Sequence, residues 1–187
     1  MDLSPVKREI LEALLLHEDP VKAMQIAKET GKKGPVVQMH LIGLNKNGYA
    51  ESPQKGQYNI SQNGKQALGL PQITKEKATE ILAQTSPEKA FHFYTAVGKP
   101  LNLSANSLYE FSEKIEAVTL DSVEFHMNRG DFEAWFTWLG DLELAKKTAL
   151  LSCRKLKAEE FREKIREITT NRCVVLLTFV GHEASSV

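Results

Sequence analysis

Apolar residues first recur at helical spacing at Val6, Ile10, Leu11, Leu14 and Leu15, directly after Ser4-Pro5. A hydroxyl able to cap the first free amides, with proline at the first helical position, is a common helix start. Asp19-Pro20 ends this helix. A second amphipathic stretch runs from about Val21 to Thr30, with Ala23, Met24, Ile26 and Ala27 on its expected inner face. It stops at Gly31, the residue type favoured just past a helix C-terminus. A third stretch spans about Gly34-Pro35 to Asn47, where Val37, Leu41 and Leu44 are spaced by four and three. After Asn47-Gly48 the period changes. Tyr49-Ala50-Glu51-Ser52, a turn-rich tip at 53–57 and Tyr58-Asn59-Ile60 read as a short hairpin, and Ser61 opens a further short helix to Leu68.

Three helices, a two-stranded hairpin and a closing helix in succession make the plan of a winged helix-turn-helix. Specific residues carry the match. Ile26-Ala27-Lys28-Glu29-Thr30-Gly31 stand as the first helix of the motif and Val36-Val37-Gln38-Met39-His40-Leu41-Ile42-Gly43-Leu44 as the recognition helix. Asn47-Gly48-Tyr49-Ala50 lead into the wing, and Tyr58-Asn59-Ile60-Ser61-Gln62-Asn63-Gly64-Lys65 follow it. Over residues 4–70 the chain resembles the winged helix-turn-helix of prokaryotic transcription regulators. The resemblance implies a DNA-binding domain over residues 1–70.

Gly69-Leu70-Pro71-Gln72 reads as a linker. Beyond it, Thr74 to Gln84 has helical composition, Ser86-Pro87-Glu88-Lys89 makes a second start, and Phe91-His92-Phe93-Tyr94 alternates as an extended segment does. Gly98-Lys99-Pro100 breaks that segment. From there the signals are helical. Ser104 or Ser107 caps a helix through Ile115, Asp121 opens Ser122 to Met127, Asp131 opens Phe132 to Leu139, and Asp141 opens Leu142 to about Ser152. A long charged helix runs from Leu156 to Thr169, in which Glu159 with Arg162 and Glu160 with Lys164 are spaced to pair. The apolar run from Cys173 to Val180 is a buried strand or the end of a helix; next to the polar tail His182–Val187 it is a candidate surface for a second subunit. The fold class is therefore mainly α: a winged helix-turn-helix, then a mostly helical domain over 74–187.

This second domain also carries a resemblance. Phe91-His92-Phe93-Tyr94-Thr95-Ala96-Val97-Gly98, Asn106-Ser107-Leu108-Tyr109-Glu110-Phe111 and Ser122-Val123-Glu124-Phe125-His126 are its first parts. Asn128-Arg129-Gly130-Asp131-Phe132-Glu133-Ala134-Trp135 and Leu139-Gly140-Asp141-Leu142-Glu143-Leu144-Ala145 complete it. Over roughly 88–172 they are similar to a mainly archaeal, partly bacterial family of unknown function. The resemblance implies a domain and no reaction. Past Arg172 that family continues with a polar helix, whereas this chain turns apolar.

With 24 Lys+Arg against 24 Asp+Glu in 187 residues, the formal net charge is zero, and no global field draws the chain to nucleic acid or membrane. Divided at the linker, residues 1–72 hold nine basic and seven acidic residues and the remainder 15 and 17, so the N-terminal domain is slightly basic. The longest apolar run is far short of a membrane span. Met1-Asp2-Leu3-Ser4-Pro5 lacks the basic stretch and apolar core of a secretory signal, and the two cysteines, Cys153 and Cys173, are too few for a disulfide framework. A cytoplasmic location is expected.

A winged helix neutralises phosphates with lysines and places its recognition helix in the major groove. The candidates are Lys32, Lys33, Gln38, Met39 and Lys46 around the third helix, and Gln54, Lys55 and Gln57 at the wing tip. With Val37, Leu41 and Leu44 turned inward, Gln38, Met39, Ile42 and Lys46 turn outward, and Gln38 has the paired donor and acceptor that read adenine. The expected partner is double-stranded DNA, bound by a transcriptional regulator that acts as a homodimer. Arg8 is the domain's sole arginine and lies outside the motif, which removes the commonest guanine contact, while Met39 and Ile42 offer an apolar face. A protein or RNA partner, for example a ribosome, is the alternative.

Elsewhere, His92, His126, Asp131 and Glu133 can be drawn together as a metal site, but their spacing matches no standard ligand pattern, and Asp131 and Asp141 are better explained as helix caps. Arg129-Gly130-Asp131 is a chance match to an adhesion tripeptide. Phe132, Trp135 and Phe136 share a helix face expected in the core, with Trp138 off that face at a domain or subunit contact; an aromatic ligand pocket is the sharper alternative. No Ser-His-Asp, Cys-His or phosphate-binding glycine pattern is present. The expectation is no catalysis, no cofactor and no metal.

Overall fold

The computed structural model describes residues 3–181, which form two compact units, one ending at Gln72 and one starting at Ile73. The architecture is mainly helical with two small antiparallel sheets.

In the first unit, α1 (Pro5–Leu15) starts as anticipated, Ser4 accepting a hydrogen bond from the Lys7 amide, and buries Ile10, Leu11, Ala13, Leu14 and Leu15. The next element departs from the sequence pattern. Val21–Lys22 form a strand, β1, and α2 spans only Ala23–Thr30. β1 pairs with β3, Val21 opposite Tyr58 and Lys22 opposite Gln57, a long-range partner that local periodicity does not report. With the helix starting later, its buried positions are Ala23, Ile26 and Ala27. Met24, expected inside, is 69% exposed.

Gly31, at φ +65°, closes α2, and α3 spans Gly34–Lys46 with Val37, Leu41 and Leu44 buried. β2 (Ala50–Glu51) and β3 (Gln57–Ile60) form the anticipated hairpin, and with β1 make a sheet of order β1-β3-β2. α4 (Gln62–Ala67) follows. Its cap Ser61 accepts from the Gly64 amide at 3.0 Å and donates to the Gly48 carbonyl at 2.6 Å, joining the hairpin base to the helix.

The second unit opens with α5 (Lys75–Leu82), capped by Thr74, and a short 3-10 turn at Pro87–Lys89. β4 (Phe91–Ala96) then pairs with β5 (Lys99–Ala105), a strand where a break leading into helix is expected from Gly98-Lys99-Pro100. Gly98, at φ +73°, makes the reversal. Leu101, Leu103 and Ala105 alternate with Pro100, Asn102 and Ser104, the period-two signal of a strand.

α6 (Leu108–Lys114) is capped by Ser107, not Ser104. α7 (Leu120–Arg129) starts one residue before Asp121, with Thr119 as its boundary residue. Gly130 separates it from α8 (Asp131–Leu139), of which Asp131 is the first residue and not the cap. α9 (Leu142–Ser152) has its expected cap, Asp141 accepting from the Leu144 amide at 3.1 Å.

α10 (Ala158–Val180) absorbs both the charged helix and the apolar run. Its buried positions, Phe161, Ile165, Ile168, Thr169, Arg172, Cys173 and Leu176, continue one stripe without a breaker, so Cys173–Val180 is helical. Arg162 pairs with Glu159 as expected, whereas Lys164 pairs with Glu167 and Glu160 accepts from the Lys157 amide. The polar tail from His182 lies outside the described residues. Phe132, Trp135 and Phe136 enter the core with Phe91, Phe93 and Phe111; Trp138 is 52% exposed. No helix among the described residues is long and apolar enough to cross a membrane.

Candidate functional site

In unit 1 the candidate surface follows from α3. Because Val37, Leu41 and Leu44 face inward, the helical period assigns the opposite face to Pro35, Met39, Ile42, Gly43 and Lys46. Met39 and Ile42 are exposed, as is Val36 beside them. Met24 lies against the start of this helix: a Cβ at Gly34 would come within 3.1 Å of its terminal methyl.

Lys33, at the cap position of α3, Lys46, in its last turn, and Gln54 and Lys55, in the β2–β3 turn, are all exposed. Three candidates are placed differently. Lys32 reaches the Glu9 carboxylate on α1 at 2.7 Å, and Gln57 is half-buried in β3 opposite Lys22. Gln38 is half-buried too; its amide donates to the Tyr58 hydroxyl at 2.8 Å, tying α3 to β3. One of the hydrogens that would face adenine is thereby committed to the protein itself.

Charge is unevenly spread in this unit. From Val21 to Gln72 there are seven lysines against two glutamates, whereas residues 1–20 hold two basic and five acidic residues. Of the two glutamates, Glu29 is bonded to His17 at 2.8 Å. The nearly neutral total hides a basic α2–α4 segment.

In unit 2 the histidines and acids separate. His92 bonds the Pro87 carbonyl through Nε2 at 2.9 Å, so that nitrogen carries the hydrogen. His126, 3% exposed, accepts from the Tyr94 amide at Nε2 (2.9 Å) and meets the Asp131 carboxylate at Nδ1 (2.8 Å). An amide can only donate, so the neutral ring carries its hydrogen on Nδ1 and has no lone pair free for a metal or a proton transfer. Asp131, expected as a helix cap, instead holds His126 and the Arg129 Nε, which is 3.0 Å away. Glu133 bonds Ser152. No group of three or more potential ligands capable of holding a metal is present among the described residues.

Burial, opposed by Asp131, lowers the His126 pKa. A base whose folded pKa lies below its unfolded value of about 6.5 adds stability that is complete above that value and is lost as pH falls below it. Unit 2 should therefore unfold at lower urea at pH 5.5 than at pH 7.5, and His126→Asn should flatten that difference; an unchanged pH response in the variant would contradict the assignment. Cys173 is buried beside Asp141, and its thiol is pushed up to about 12, so it stays protonated; Cys153 is exposed.

A polar network that the sequence did not reveal lies deeper: Asp141, Glu143, Lys147 and Arg172, all buried. Asp141 carried a capping signal, but nothing local marks its 31-residue separation from Arg172 as a contact. Compared with known proteins, the chain matches no family model, no curated protein and no solved structure.

Proposed function

We propose that unit 1 is a winged helix-turn-helix that binds duplex DNA, with the outer face of α3 in the major groove and the β2–β3 turn on the phosphate backbone. The observation that carries this reading is the segregation of charge: seven of the unit's eight lysines fall between β1 and α4. Lys33, Lys46 and Lys55 are exposed around α3 and the turn. Phosphate neutralisation needs this local field and not a basic whole chain. Unit 2 then serves a regulator as its dimerisation, sensing or recruiting domain, and exposed Val174 and Phe179 near the end of α10 are where a second copy would meet it.

The test is fluorescence anisotropy against duplex DNA over a salt series. Lys33→Ala with Lys55→Ala should weaken binding about tenfold and reduce the slope of log affinity against log salt by roughly two, one for each phosphate no longer neutralised. Weak, salt-independent binding unchanged in the double variant would exclude this reading.

Exposed Met24, Val36, Met39 and Ile42 favour a second reading, in which the same surface docks on a protein or ribonucleoprotein. Met39→Glu discriminates. Loss of a co-purifying protein or RNA, in a chain without duplex affinity, would support the second reading over the first.

A further inference from the structure

A concave site opens in unit 2 between the tip of the β4–β5 hairpin and helices α7 and α8, with a volume of about 340 Å³. That lies within the range of small-molecule sites, roughly 300–1,000 Å³. Phe91, Tyr94, Phe125 and Trp135 supply its aromatic lining, and Val97, 81% exposed at the hairpin tip, stands at its mouth.

The lining is held rigidly. His126 is bonded through both ring nitrogens, to the backbone of Tyr94 and to Asp131, which joins β4, α7 and the start of α8. Trp135 donates from its indole N–H to the Lys89 carbonyl at 3.2 Å, and the Phe91 ring stacks on Phe132 with centroids 5.2 Å apart. A ligand entering here would not have to order the walls.

The mouth supplies charge. The Arg129 guanidinium lies 5.1 Å above the Phe125 ring, and its Nε donates to Asp131 at 3.0 Å. Those two contacts hold the guanidinium at the edge of the pocket. Its two terminal amino groups make no hydrogen bond among the described residues, and the side chain is 52% exposed. A guanidinium anchored through its Nε with both terminal groups unbonded matches the two oxygens of a carboxylate.

We propose that this pocket binds a small planar aromatic carboxylate, its ring against the aromatic lining and Val97 and its carboxylate on the terminal nitrogens of Arg129. The charge of the lining narrows the class. Arg129 and Asp131 sum to zero, so a monoanion gains the bidentate contact without strong repulsion, whereas the dianion of a phosphate monoester meets the Asp131 carboxylate. An organic cation meets Arg129 already seated over Phe125. This assignment rests on unit 2 alone and stands whether or not unit 1 binds DNA.

The test is a titration of the full chain with naphthoate, read by amide NMR, beside neutral naphthalenemethanol, naphthyl phosphate and naphthyltrimethylammonium. Naphthoate should give saturable shifts confined to Tyr94, Val97, Gly98 and the residues around Arg129, and should bind about tenfold more tightly than each of the other three, the equivalent of one charge-assisted contact. Arg129→Gln should remove that preference and leave the weaker alcohol binding unchanged. Val97→Glu, at an exposed position, should weaken naphthoate independently by placing a like charge at the mouth. Equal binding of acid and alcohol, preference for the cation, shifts scattered over the surface, or no saturable shift would each overturn the proposal.

Discussion

Arg172→Met should destabilise unit 2 by about 3–5 kcal/mol, the cost of stranding buried carboxylates. Arg172 is 3% exposed; its Nε reaches Asp141 Oδ2 at 2.7 Å, one terminal nitrogen reaches Asp141 Oδ1 at 2.9 Å, and the other reaches Glu143 at 3.1 Å. Lys147 lies 3.5 Å from the second Glu143 oxygen. Removing the guanidinium takes its contacts with Asp141 and Glu143 from buried carboxylates, and methionine supplies neither a charge nor a donor in their place. Asp141 also caps α9, so the substitution disturbs a helix start as well. Urea unfolding followed by tryptophan fluorescence reports on this unit alone, because the two tryptophans are Trp135 and Trp138. A loss of less than about 1 kcal/mol, the range of exposed pairs, would mean that water reaches the carboxylates.

Gly64→Ala should have the largest effect in unit 1. Gly64 is buried in α4, where a Cβ would overlap the Tyr49 carbonyl oxygen and come within 2.8 Å of the Ile60 side chain. The carbonyl cannot readily move aside, since it accepts from the Ser61 amide at 3.2 Å at the base of the hairpin. Overpacking of this kind costs about 1–3 kcal/mol, and more against backbone. On the proposed function, DNA affinity should fall with stability because the hairpin shifts. Gly43→Ala is the control: nothing lies within 4 Å of its Cβ position on α3, and alanine there should stabilise by up to about 1 kcal/mol. Thermal unfolding by circular dichroism compares the two. Equal midpoints would show that α4 can shift away from Tyr49 at no cost.

Both predictions rest on contacts of different sequence range, and that difference explains what is legible without coordinates. Helix starts are legible where a side chain acts on its own neighbourhood: Ser4, Ser61 and Asp141 cap by bonding amides three residues ahead. The inward stripes of α1, α3 and α8 are legible for the same reason, since a 3.6-residue period repeats within a few turns. β1 is not, because Val21 becomes a strand only through Tyr58. β5 leaves an alternating trace at 101–105, obscured by Gly98 and Pro100, which signal a turn and a break equally well.

The candidate sites divide in the same way. Local sequence is enough for a mainly helical chain, most helix starts, the outward direction of Met39, Ile42 and Lys46, and the uneven distribution of charge along unit 1. Folding adds that Lys32 is held by Glu9, that Gln38 is tied to Tyr58, and that Asp131 serves His126 instead of capping a helix. It alone assembled the aromatic pocket from three elements and paired Arg172 with Asp141 across 31 residues. The physical reason is range. Capping and periodicity act through a few consecutive bonds, whereas ion pairs, ring stacking and buried hydrogen bonds depend on which distant segments the folded core brings together.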